Sequence, residues 1–160
     1  MLEFTFNVIP DEIQFKRAFQ RFGDGIKDLT PAFEVIADNF YEGERQQFAS
    51  QGQSGSGGWA ALSPKYAARK RIQYPGKGIL EATGALRESL SSRGGGSFVM
   101  EPLQLGMGAS VEYAAYHQTG TPKMPRRAPI ELTETQKRKW SKAIHTHLVN
   151  MRDRSVGAMR

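Results

Sequence analysis

The sequence predicts an α+β fold, an antiparallel β-sheet packed by amphipathic helices, with a long Gly/Ser-rich loop and an extended basic segment. Two apolar periods carry that expectation. Residues 2–8 and 97–109 alternate apolar with polar, as strands with one buried face do, whereas 31–49 and 133–151 repeat apolar residues at three- and four-residue spacing, as helices do. The run QGQSGSGG at 51–58 has no apolar residue and four glycines. It predicts a flexible loop inside a single domain spanning 1–152, followed by a loose tail at 153–160.

Each element follows from local chemistry. Leu2, Phe4, Phe6 and Val8 alternate with Glu3, Thr5 and Asn7 until Pro10 ends the strand. Phe15, Ala18, Phe19 and Phe22 recur at helical spacing up to Gly23, a C-terminal stop signal. Thr30 is the expected cap of the next helix, with Pro31 in its first turn and Phe33, Ile36, Ala37, Phe40 and Phe48 on one face. After the Gly/Ser run, Trp59 and Leu62 return the chain to packing. Ser63 and Pro64 then open a helix at 64–73 that Pro75 closes and that Lys65, Arg69, Lys70 and Arg71 make basic. Thr83 is the expected cap of a short helix carrying Leu86 and Leu90, before the breaker SRGGGS. Phe98 and Met100, then Leu103, Leu105 and Met107, alternate across a turn at Glu101-Pro102. Tyr113 to Gln118 reads as a short helix stopped by Gly120. Thr133 and Gln136 form a capping box ahead of Trp140, Ile144, Leu148 and Met151.

Composition narrows the chemistry. Lys and Arg outnumber Asp and Glu by 22 to 16 in 160 residues, a formal charge of +6 that favours polyanions or acidic protein surfaces as partners. With no cysteine, disulfides, thiolate catalysis and Cys-based zinc sites are excluded. The first residues carry neither a basic n-region nor a long apolar run, so a soluble chain without a membrane span is expected. His145 and His147, two apart on a helix, point to different faces and do not chelate one metal.

The stretch EYAAYHQTGTPKMPRRAPIEL, from Glu112 to Leu132, holds the ingredients of acid–base or phosphate chemistry in His117, Arg126 and Arg127. Yet the chain has no GxSxG elbow, and its Gly-rich runs lack both GK[ST] and GxGxxG. The structural alternative for His117 is a partly buried ring that donates to a backbone carbonyl and fixes the helix end near Gly120. For Arg126 and Arg127, braced by Pro125 and Pro129, it is directional pairing with carboxylates of a neighbour.

A wider pattern connects these pieces. Gly58-Trp59 precedes Leu62-Ser63-Pro64 and the basic helix; Ile79-Leu80 precedes Thr83-Gly84, Leu86 and Ser89-Leu90; then come Leu105-Gly106, Tyr113-Ala114, His117-Gln118-Thr119-Gly120 and Met124-Pro125-Arg126-Arg127. In this order, over about residues 58 to 148, the chain resembles the phage virion morphogenesis or tail-completion (neck) protein family of tailed bacteriophages. After Met-Pro that family usually carries a small residue, Arg, Pro and an aromatic, where this chain has Arg126-Arg127-Ala128-Pro129-Ile130.

The resemblance implies a structural virion protein of the head-to-tail junction, without enzymatic activity, cofactor or metal, that completes the tail or joins it to the capsid. It implies a homo-oligomeric ring, a hexamer or alternatively a dodecamer, that meets neighbouring neck, connector and tail proteins and packaged DNA in the channel. The expected location is the virion, with the host cytoplasm during assembly. On this reading Arg126, Arg127, Met124, His117 and Trp59 are subunit-interface candidates. Lys65, Arg69, Lys70 and Arg71 face the lumen, DNA or an acidic partner. Two alternatives stand beside it: a basic DNA-binding protein using the helix 64–73, and a hydrolase using His117.

Overall fold

The computed structural model describes residues 12–157. In chain order the elements are α1 (Glu12–Lys27), α2 (Thr30–Ala49), α3 (Gln53–Ser56), α4 (Pro64–Gln73), α5 (Ala85–Ser91), β1 (Ser97–Glu101), β2 (Gln104–Gly108), α6 (Ala114–Thr119) and α7 (Glu134–Gly157). The α+β expectation holds. The expected strand at 2–8 lies outside the described residues, among which the sheet is the antiparallel pair β1–β2.

α2 is the axis of the fold. It buries Ala32, Phe33, Ile36, Ala37, Phe40, Tyr41 and Phe48, a wider stripe than one neighbour covers, and α5 and α7 pack against it. Phe40 meets Tyr41 edge-on at 5.3 Å, Phe48 meets Trp59 edge-on at 5.2 Å, and Leu86 and Leu90 of α5 close the cluster. Burying each such side chain stabilises the domain by about 1.5–3 kcal/mol.

The hairpin forms in the expected place. Phe98 pairs with Met107 and Glu101 with Gln104, leaving Pro102 and Leu103 as the turn. Phe98, Met100 and Met107 lean on the core, while Val99 and Leu103 face outward. The Pro102 carbonyl accepts from Leu29 N–H at 2.7 Å, which ties the tip to the corner between α1 and α2.

Several boundaries differ from the sequence reading. α1 runs through Gly23 to Lys27, because packing along α7 offsets the roughly 1 kcal/mol that a glycine costs a helix. Thr30 does not cap α2: it is the first helical residue, and its N–H donates to Asp28 Oδ1 at 2.9 Å. Gly84, in the left-handed region, takes the N-cap of α5 in place of Thr83, whose Oγ1 accepts from Ala85 N–H at 3.4 Å. The capping box of α7 forms as expected: Gln136 N–H donates to Thr133 Oγ1, and Gln136 Oε1 accepts from Thr133 N–H. α7 then continues to Gly157, six residues beyond the expected helix end at 151.

The largest correction concerns 51–58. The run is a folded turn containing α3, not an open loop: Gly52 N–H donates to Gln47 O, Gly58 N–H to Gly52 O, and Trp59 N–H to Gln51 O. Gly52 is buried at φ 87°, and a Cβ there would lie 2.7 Å from Trp59 N. Backbone bonding against the end of α2 orders a segment whose side chains bury almost nothing.

Candidate functional site

The residues that stood out in the sequence converge at the C-terminal end of α2. Trp59, 8 % exposed, packs on Phe48 and donates its indole N–H to Ala128 O at 2.9 Å, across 69 positions of chain. Arg127, 6 % exposed, donates from Nε to Ala60 O at 2.6 Å and from Nη2 to Ala61 O at 2.8 Å. These bonds clamp 59–61 onto 127–128. They also place Ala128 and Pro129 in the interior.

His117-Gln118-Thr119-Gly120 supplies the other half of the clamp. His117 O accepts from Arg127 N–H at 3.0 Å, and the Gln118 amide bonds both ways with the Ile130 backbone, at 2.8 and 3.2 Å, as a neighbouring strand would. Gly120 turns the chain at φ 79°, where a Cβ would lie 2.9 Å from Arg126 N. The turn from Thr121 to Met124 then closes with a pair of backbone bonds.

Between this clamp and α4 lies a cavity of about 750 Å³. Ser63 accepts from Tyr66 N–H to start α4, and that start aims Tyr66 and Lys70 at the cavity. Leu62, Leu80, Tyr113, Met124 and Pro125 form apolar walls; Lys70, His117, Lys123 and Arg127 are its basic groups. Leu80 stands at φ 63°, a conformation rare for a branched side chain, next to Ile79, whose N–H is held by Gln51 Oε1 at 2.5 Å.

Electrostatics inside the cavity are one-sided. Burial, reinforced by the Arg127 charge, holds Lys70 below the usual ammonium range against the pull of Glu81. Burial also lowers the Arg127 guanidinium, and burial together with Arg127 lowers His117, so its imidazole is neutral at pH 7. The expected bond from the His117 ring to a backbone carbonyl is absent: its Nδ1 is buried without a partner, and the main-chain oxygen secures the helix end instead. Among the described residues no carboxylate lines the cavity to orient that ring, and Ser63 Oγ is engaged as a helix cap.

The candidates named from the sequence divide on burial. Trp59 and Arg127 are interior, because each satisfies backbone carbonyls that would otherwise be orphaned. Lys70 leaves the expected basic stripe for the same reason: it is 4 % exposed and its ammonium donates to Gly78 O. Lys65, Arg69 and Arg71 remain exposed on α4, with Arg69 over the Tyr66 ring at 5.2 Å. Arg126 is exposed but paired within the subunit, donating to Gln118 O at 3.0 Å and to Glu131 at 2.7 Å. Met124 and His117 line the cavity.

Sequence reasoning missed Tyr66, Lys123 and the buried Glu44. Glu44 alone left a signal, as a charge at the position between Phe40 and Phe48 on the apolar face of α2.

The separated motifs of this α+β chain build one cationic, apolar-walled cavity, the kind of concave site that takes a binding partner. The chain matches the phage virion morphogenesis family over residues 11–149 and belongs to it. It is a phage virion structural or assembly protein. No curated protein and no solved structure matches the chain significantly. Among the described residues, no helix is long and apolar enough to cross a membrane.

Proposed function

We propose that the chain is a non-enzymatic, ring-forming subunit of the phage head-to-tail junction, completing the tail or joining it to the capsid. One observation carries this reading: the family's motif residues, from Trp59 to Arg127, build a clamp and an open cavity rather than a nucleophile–base pair. A chain of this family puts such a surface to use against other virion subunits. Electron microscopy of the purified protein tests the proposal, with closed rings expected and uniformly single subunits at every concentration refuting it.

The exposed side chains Lys65, Arg69 and Arg71 favour a second contribution within the same reading, contact with DNA in the ring channel or with an acidic neighbouring ring. Retention of DNA that weakens steeply between 50 and 200 mM salt, about tenfold or more for a few phosphate contacts, is the expected result for DNA contact. Salt-independent behaviour assigns those side chains to protein.

A further inference from the structure

Two cations are buried in the cavity without an ion pair among the described residues: Lys70 donates to Gly78 O, and Arg127 to Ala60 O and Ala61 O. Glu81, the carboxylate that bears on Lys70, is bound by Arg87 at 2.9 Å. Among the described residues no Asp or Glu lines the cavity, and Lys123 adds a further cation. Its walls of Leu62, Leu80 and Met124 are apolar. This environment suits an occupant with an apolar anchor and a carboxylate.

The chain presents that chemistry at its other end. At the β1–β2 turn Leu103 is 64 % exposed beside exposed Glu101, and the bond from Leu29 N–H to Pro102 O holds the tip firm. A preorganised knob loses little conformational freedom on docking. The tip sits at the N-terminal end of α2, whereas the cavity adjoins its C-terminal end, where Phe48 meets Trp59. The 20 residues of α2 separate the two by about 30 Å. Knob and cavity do not meet within one subunit. Surfaces placed at opposite ends of one chain are the geometry that a heterologous contact, repeating from copy to copy, requires.

We propose that the hairpin tip of one copy docks in the cavity of the next, Leu103 against the apolar walls and Glu101 toward Lys123, Lys70 and Arg127. This deepens, and rests on, the ring reading.

The test is sedimentation velocity on the full-length chain, the knob variant Leu103→Asp and the cavity variant Ala61→Glu. Both substituted side chains are exposed, and folding is checked by circular dichroism. Each variant alone is expected to self-associate about a hundredfold more weakly than the wild type. An equimolar mixture is expected to give dimers and nothing larger, since one intact knob and one intact cavity remain for each pair. Rings from Leu103→Asp indistinguishable from wild-type rings would refute this contact and leave the ring reading standing, whether or not Ala61→Glu is defective. A mixture that stays monomeric also refutes it. A wild-type chain that is monomeric at all concentrations overturns the ring reading and this contact together.

Discussion

Replacing Glu44 by Gln should make the protein more stable at neutral and alkaline pH. Glu44 lies on the apolar face of α2, 1 % exposed, with Oε2 lacking any partner, and burial pushes its carboxyl from the ordinary 4.5 up to about 8. The folded state therefore holds a proton that the unfolded chain releases above pH 4.5. Stability is fully present below that value and falls as pH rises through the folded value near 8. Over the whole window the loss amounts to about 5 kcal/mol, of which about 3 kcal/mol is gone by pH 7.

In urea denaturation at pH 5, 7 and 9, the wild type should lose stability stepwise while Glu44→Gln, which keeps the shape and removes the ionisation, stays nearly flat. The two proteins should be close at pH 5 and differ by a few kcal/mol at pH 9. Parallel pH profiles would refute the assignment, because they would mean that Glu44 ionises freely in the folded state.

Further outcomes follow from the clamp around the cavity. Trp59→Ala should destabilise the subunit by about 3–5 kcal/mol in chemical denaturation, and Trp59→Phe by about 1–3 kcal/mol, since the ring is largely kept but the buried Ala128 carbonyl loses its donor. Trp140→Ala should cost less than Trp59→Ala, about 2 kcal/mol, because that ring is only half-buried although it donates to Asn39 Oδ1 at 2.9 Å. Arg127→Lys should cost about 2 kcal/mol in the same assay, as an ammonium does not reproduce the fork that reaches Ala60 O and Ala61 O together. His117, held below its ordinary value by burial and by Arg127, binds a proton less readily when folded than when unfolded. Its contribution is present above pH 6.5 and is lost as pH falls below that value, so His117→Gln should flatten the acid side of the thermal-unfolding profile.

The periodic parts of this fold were legible from residues alone, because their signals are local. Alternation placed the hairpin at 97–109, helical spacing placed α2 and α7, and Ser63-Pro64 and Thr133/Gln136 marked helix starts that the backbone bonding reproduces. Composition misread 51–58 as open, since its order comes from backbone groups bonded to the end of α2 and from the close approach of Gly52 to Trp59, neither of which side-chain polarity encodes. The motif residues of the site were also visible, in the correct order, but their roles were not. Whether Lys70, Arg127 and Trp59 face a partner or their own backbone depends on carbonyls that the fold brings alongside, at Gly78 beyond the end of α4 and at Ala60 and Ala128, 67 and 69 positions away. Sequence by itself determined where the long helices and the hairpin lie and which family the chain resembles, because propensity and spacing act over a few residues. Only the tertiary structure decided which charges are interior and where the cavity opens, because desolvation and long-range hydrogen bonding are settled by what the fold brings alongside each group.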